Sequence, residues 1–306
     1  MSSPKHELEV GDRTVTVSNP DKVLYPDEHL AKADVIGHYQ RVADAMLPHL
    51  RGRPLSLRRF PDGIGQEGFF QKAASDFFPD WLEIVEVPRL EDGKAVHQVV
   101  CRDPADLVYL ANLATLEFHI WPSTMAALDK PDRLVIDVDP PDGTPVSELR
   151  DIARRLRRLV EQIGLTAFVQ ATGGRGFHVV TPLDASAGYD DVRDLARGIA
   201  DHAASEDPDR LTTAIRKDSR GDRVFLDTNR NGYAQTIVAP YSLRARPGAA
   251  VATPLDWSEL GKAKPNGVDL KRIQRRLGQK ADPWRSIDDS AASPATAAEQ
   301  LENLRR

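Results

Sequence analysis

The sequence predicts a mixed α/β protein of the α+β kind. Helical and strand periodicities are mixed along the chain without a strict strand–helix–strand rhythm. A hairpin is written around Glu91-Asp92-Gly93. No clear linker divides the chain, and its 306 residues suggest about one or two domains.

The elements follow in order. Val15 and Val17 alternate with polar neighbours over 14–18, a short strand. Residues 33–50 place Val35, Ile36, Tyr39, Val42, Ala45 and Met46 at helical spacing, with an end at Pro48 or by Gly52. Residues 55–60 read as a strand and Pro61-Asp62-Gly63 as a turn. Residues 81–100 form the hairpin, and 103–116 a helix with Pro104 in its first turn. Residues 134–138 are an apolar strand, stopped by Pro140-Pro141-Asp142-Gly143. A helix over 146–163 is closed by Gly164. Strands at 168–170 and 177–181 flank a glycine-rich turn; a helix covers 190–204, and short strands cover 224–227 and 236–240. The division expected is one catalytic unit over 1–280, with parts meeting near 126–133 (about 1–130 and about 131–280). A tail over 281–306 has room for a last helix at 297–304.

Composition narrows the function. With 41% hydrophobic and 28% charged residues, wholesale disorder is excluded. The lone Cys101 excludes an internal disulfide and a thiolate metal cage within the chain. No apolar run has membrane length, and residues 1–10 lack a signal-peptide core, so a cytoplasmic protein with no membrane partner is expected. A net charge of -5 and a pI near 5.9 exclude a uniformly basic surface but leave room for a local basic cleft.

The sharpest motif is Leu134-Val135-Ile136-Asp137-Val138-Asp139. Residues two apart on a strand share a face, so Asp137 and Asp139 stand side by side while Val138 points away. Like charges so placed repel unless a cation lies between them. Paired carboxylates suit Mg²⁺ and Mn²⁺, with substrate phosphates completing the shell. Val224-Phe225-Leu226-Asp227 repeats the pattern and offers a third acid. The plain alternative is a strand running into a solvated acidic turn.

Between these acids lies Thr172-Gly173-Gly174-Arg175-Gly176-Phe177-His178. Its glycines permit close approach by an anion, and Thr172, Arg175 and His178 can donate to phosphate oxygens. It lacks the ending of a Walker A loop and runs into a strand, so it is no dinucleotide fingerprint. A tight hairpin is the other reading. Over 216–246 seven basic residues, Arg230, Arg244 and Arg246 among them, meet three acidic ones. On an extended chain Arg244 and Arg246 share a face. A second group holds Arg51, Arg53, Arg58 and Arg59; arginines suit phosphate, though a solvated face explains many charge runs. Phe69 and Phe70 close the polar loop 65–68 and either stack on bases or join the core.

Taken in order, these pieces resemble the polymerase domain of bacterial DNA ligase D, a branch of the archaeo-eukaryotic primase superfamily. The resemblance rests on Asp21-Lys22-Val23-Leu24-Tyr25-Pro26, Gly68-Phe69-Phe70-Gln71-Lys72, 134–140, 172–178, 224–227, Val238-Ala239-Pro240-Tyr241-Ser242-Leu243-Arg244-Ala245-Arg246 and Thr253-Pro254-Leu255-Asp256-Trp257. It implies a two-sheet fold around a central cleft. It implies a nucleotidyltransferase that extends DNA 3′ ends, often with ribonucleotides and Mn²⁺, in gap filling and end joining beside Ku and a ligase.

Residue by residue, Asp137, Asp139 and Asp227 resemble the acids holding two Mn²⁺ or Mg²⁺ ions. Thr172, Arg175 and His178, with Arg230, Arg244 and Arg246, resemble the nucleotide-binding set. Lys22 and Lys32 resemble the pair on the downstream 5′-phosphate of gapped or overhanging DNA. Phe69 and Phe70 resemble the template stackers, and Arg220 a residue on the primer-handling loop; Arg53 joins them as a candidate DNA contact. The hairpin around 91–96 resembles the loop that pairs two DNA ends. Thr172 stands where Ser is usual, Arg175 where Lys is common, and Gln235 where a basic residue is common. No ligase or nuclease segment is seen, which suggests a stand-alone, nucleoid-associated polymerase working with a separate ligase. The alternatives are a primase that starts chains, a non-catalytic end-binding module, and an unrelated transferase acting on sugar nucleotides.

Overall fold

The structure is a computed structural model and describes residues 5–306. It falls into two compact units. The first comprises the chain up to Trp121 together with Val238–Ala252 and Val268–Asp282; the second comprises Pro122–Ile237, Thr253–Gly267 and Pro283–Arg306. This departs from the sequence division. The chain returns to the first unit after the short strand Ile237–Val238, so no single cut separates the two. The C-terminal segment is no free tail, because its helix Pro294–Arg305 buries Ala297 and Leu301 in the core of the second unit.

The second unit is built on a six-stranded sheet. Its order is Leu211–Thr212, Val224–Asp227, Arg133–Asp139, Phe177–Pro182, Phe168–Ala171, Thr253–Leu255. Every pairing is antiparallel except that of Leu211–Thr212 with Val224–Asp227. Leu134, Ile136 and Val138 enter one core together with Phe177, Val179, Val169, Ala171, Val224 and Leu226. The helix Val146–Gln162 covers that face with Leu149, Ile152, Ala153, Leu156, Leu159 and Val160, a stripe at helical spacing. The helix Tyr189–Glu206 adds Val192, Leu195, Ala196, Ile199 and Ala200. Helices thus lie against one side of the sheet, and the alternate side chains point to the other.

In the first unit the helix Lys32–Leu50 buries Val35, Ile36, Tyr39, Val42 and Met46. It runs through Pro48, which lies in the last turn and costs one backbone hydrogen bond, while Leu50 stays fully buried. A small sheet orders Ile237–Val238, Thr115–Ile120, Leu55–Arg59 and Phe69–Gln71. The expected hairpin is present as Glu83–Pro88 paired with Ala95–Val100, with Gly93 at φ +68° in its turn. The helix expected over 103–116 stops at Asn112, and Thr115–Ile120 is a strand.

Candidate active site

The Asp137 strand is central, and its register fixes the chemistry of the open face. Asp137 is the Cα partner of Asp227 on one side and of His178 on the other. His178 in turn faces Gln170, and Gln170 faces Pro254. One row therefore runs Asp227, Asp137, His178, Gln170, Pro254 across five strands, on the face away from the helices. Asp139 lies two residues along on that face, opposite Phe225.

The three acids are half-buried, and Asp137 and Asp139 lie beside nitrogen bases. His178 Nε2 lies 3.6 Å from Asp137 Oδ2. Asp139 Oδ1 accepts from Arg175 Nη2 at 3.1 Å, and its Oδ2 lies 3.7 Å from Arg220 Nη1. Asp227 Oδ1 accepts from the backbone and side-chain nitrogens of Asn229 at 2.8 and 2.6 Å. Burial and then the Asp137 charge push the Asp139 carboxyl above its ordinary value, against the pull of Arg175 and Arg220. Among the described residues no three His, Cys, Asp or Glu side chains are drawn together tightly enough to hold an ion. The backbone positions nonetheless fit one. Three carboxylates share a face at adjacent register positions, an oxygen set for a hard divalent cation once Asp139 turns from its arginines.

Arg220, which resembles a residue on the primer-handling loop, follows the short 3-10 turn Lys217–Ser219 and lies beside Asp139. Its guanidinium sits 3.6 Å from the Phe225 ring centre and donates to Ala214 O and Ile215 O. Arg230 is exposed on the short 3-10 turn Asn229–Asn231 that follows Asp227.

The glycine-rich turn is tied to the acid strand. Thr172 Oγ1 donates to Gly176 O at 2.9 Å and accepts from Gly174 N at 3.1 Å. The hydroxyl proton is thus used inside the turn, and toward a ligand Thr172 can only accept. Gly173, at φ +67°, donates its N–H to Pro265 O. Arg175 is exposed and bridges Asp139 to Asp142, at 3.1 and 2.9 Å.

The first unit carries the remaining candidates. Lys22 Nζ pairs with Asp62 at 2.7 Å. Lys32 is buried, and its ammonium donates to Ser18 Oγ and Asn112 O. Burial, then the Lys22 charge, lowers the Lys32 amine to about 8. Arg53 is only 4% exposed and donates to Trp121 O, so it supports the interior of the unit rather than presenting its charge. Phe69 and Phe70 are both exposed on a strand at the end of the small sheet, the first opposite Arg59 and the second opposite Arg58. Neighbours on a strand point to opposite faces, so each ring has its own guanidinium, at 5.4 and 5.6 Å. Arg244 and Arg246 are not on an extended chain. Arg246 N donates to Arg244 O at 2.8 Å, and the chain bends into Pro247-Gly248, where Gly248 takes φ +92°.

Residues 31–284 match the family model described as the LigD primase-polymerase domain. The chain belongs to this family. It is a primase-polymerase, an enzyme of the nucleotidyltransferase class. It is 34% identical over 274 residues to a multifunctional non-homologous end joining protein LigD of Pseudomonas aeruginosa, covering 88% of this chain and 32% of that protein. It is 32% identical over 303 residues to the LigD of Mycobacterium tuberculosis, covering 96% and 39%. The chain thus spans about a third to two fifths of the length of these relatives. It also matches a solved structure described as the polymerase domain from Mycobacterium tuberculosis ligase D in complex with DNA. The TM-score is 0.84 at 31% identity, over 90% of this chain and 99% of that one. Among the described residues no helix is long and apolar enough to cross a membrane.

Two polar residues escaped the sequence reading. Glu117 and His119 lie on the strand Thr115–Ile120, whose first two residues fall inside the helix expected over 103–116. Their spacing of two, flanked by Phe118 and Ile120, was the available signal.

Proposed function

We propose that this primase-polymerase adds nucleotides to DNA 3′ ends in the repair of double-strand breaks by end joining. The observation that supports it best is the in-register pair Asp137 and Asp227 with Asp139 on the same face. Those three carboxylates are the residues that would hold two Mn²⁺ or Mg²⁺ ions. Such ions, when bound, lower the pKa of a 3′-hydroxyl and neutralise charge on the triphosphate and leaving pyrophosphate.

The chain's own groups do the rest. Arg175 exchanges Asp139 and Asp142 for triphosphate oxygens, and His178, Arg230, Arg244 and Arg246 complete the anion set by resemblance to the family. Thr172, whose proton is held by Gly176 O, accepts from the ribose 2′-hydroxyl, which favours ribonucleotides. Lys22 and Lys32 take the downstream 5′-phosphate, and Phe69 and Phe70 stack on the template. Arg220 leaves Asp139 as the primer end enters. The partners are gapped or overhanging DNA, NTP or dNTP, Ku and a DNA ligase, in the cytoplasm at the nucleoid.

The test is primer extension across a short 5′-phosphorylated gap, comparing rNTPs with dNTPs under Mg²⁺ and Mn²⁺. Extension that needs a divalent ion and prefers rNTPs is expected. No extension under any combination overturns the reading.

A further inference from the structure

Glu117 is a carboxylate where a sheet normally places an apolar residue. It lies mid-strand in Thr115–Ile120, and its side chain is 1% exposed. Oε1 accepts from Arg58 Nη1 at 3.2 Å and from Ala245 N at 2.9 Å, and lies 3.4 Å from Arg244 Nε. Oε2 accepts from His119 Nε2 at 2.9 Å. Burial alone would raise this carboxyl, but the His119 hydrogen bond, the Arg244 charge and the Ala245 N–H hold it well below the usual carboxylate range. At neutral pH Glu117 is therefore a carboxylate and can only accept from these donors.

The groups it gathers lead outward. Arg58 lies 5.6 Å from the centre of the exposed Phe70 ring, and Phe70 meets His119 edge-on at 5.4 Å. A proton on His119 Nε2 fixes that ring's tautomer and orientation. A buried ion pair is a poor device for stability, because packed apolar residues do the same at lower desolvation cost. One carboxylate holding two arginines, a histidine and the Ala245 backbone of the Arg244–Arg246 bend is instead a device for geometry.

We propose that Glu117 is a positioning residue for polymerisation: it sets Arg244 for the incoming triphosphate and, through Arg58 and His119, holds the Phe70 ring. This rests on the polymerase reading above. Glu117 touches no substrate; its effect on the nucleotide KM runs through Arg244, and its effect on Phe70 through Arg58 and His119.

The experiment measures nucleotide KM and kcat on gapped DNA for the wild type, Glu117→Gln, Glu117→Asp, Arg244→Ala and the double variant Glu117→Gln/Arg244→Ala. Circular dichroism checks folding. Glu117→Gln is expected to raise the nucleotide KM about tenfold with kcat within about threefold, and Glu117→Asp to fall between it and the wild type. In the Arg244→Ala background, Glu117→Gln should change KM by less than about twofold, since the residue it acts through is gone. A folded Glu117→Gln with wild-type KM, or two substitutions whose effects multiply, overturns the proposal. If Glu117→Gln does not fold, Glu117→Asp decides: a raised KM supports the proposal and a wild-type KM overturns it. Extension by the wild type with an unmoved KM in these variants sinks this inference alone, whereas no extension by the wild type sinks the polymerase reading with it.

Discussion

Asp137 and Asp227 face each other as Cα partners on neighbouring antiparallel strands, although ninety residues of chain separate them. The sheet register alone makes them neighbours. A shift of one residue in either strand would turn one carboxylate into the helix-covered core, so this register and the chemistry stand together.

Asp137→Ala is the direct test of that pair. It should lower primer extension by about a hundredfold or more, while DNA affinity by fluorescence anisotropy changes by less than about threefold. Asp137→Asn should also raise the unfolding temperature, because it removes the like charge that pushes the Asp139 carboxyl up. Extension at wild-type rate would remove the acids from the mechanism. An unfolding temperature lowered by Asp137→Asn would mean that the contacts of the Asp137 carboxylate, His178 Nε2 among them, outweigh its repulsion with Asp139.

The strands that carry the acids were legible, because an apolar run ending in Asp is written at 134–139 and again at 224–227. Their pairing was not. Nothing local says that the second run lies beside the first rather than beside Phe177–Pro182, which takes the other edge. The end of the helix near 162 was legible through Gly164. Thr115–Ile120 was not, since Leu116, Phe118 and Ile120 continue the apolar content of the helix before it, and the break falls at Ala114, which takes φ +59° without glycine's help. The placements of Arg220 and Arg53 were hidden for another reason. A sequence gives an arginine's charge but not whether a ring such as Phe225 or a carbonyl such as Trp121 O will take it.

Lys32 gives a pH dependence. Its ammonium, lowered to about 8 by burial and the Lys22 charge, is lost as pH rises through that value. If Lys32 binds the 5′-phosphate, the preference for phosphorylated over hydroxyl-ended gaps should fall severalfold from about pH 7 to about pH 9.5. Lys32→Arg should hold the preference flat, because a guanidinium stays charged. Anisotropy titrations with the two gaps measure this. A wild-type preference unchanged across the range would take Lys32 out of the phosphate site.

His38 gives acid sensitivity. It is fully buried in the first unit, its Nε2 donates to Tyr241 O at 3.0 Å, and burial with the Arg41 charge lowers it to about 4. Unfolded, it titrates near 6.5, so between those values the unfolded chain binds the extra proton. Its contribution is whole above about pH 6.5 and is lost as pH falls toward 4, on the order of 3 kcal/mol in all. Urea unfolding of the wild type and His38→Gln at about pH 7 and about pH 4.5 should show a shallower loss in the variant. Equal losses would mean that other groups carry the acid response.

Gly176 links the phosphate turn to the acids through backbone alone. A Cβ built there would lie 1.9 Å from Val138 O, the carbonyl between Asp137 and Asp139. Backbone cannot move aside as a side chain can, so Gly176→Ala must push the two strands apart at that point. The expected cost is about 3 kcal/mol or more in unfolding free energy, with extension lost even in the fraction that folds, because Asp137 and Asp139 move with Val138. Gly261→Ala, whose added Cβ would meet only Arg154 Nη2 at 3.5 Å, serves as the control and should keep most of its stability. Urea midpoints and extension rates for the two variants separate the outcomes. A Gly176→Ala protein with wild-type stability and rate would show that the strands do not approach so closely, and the tie between turn and acids would be lost.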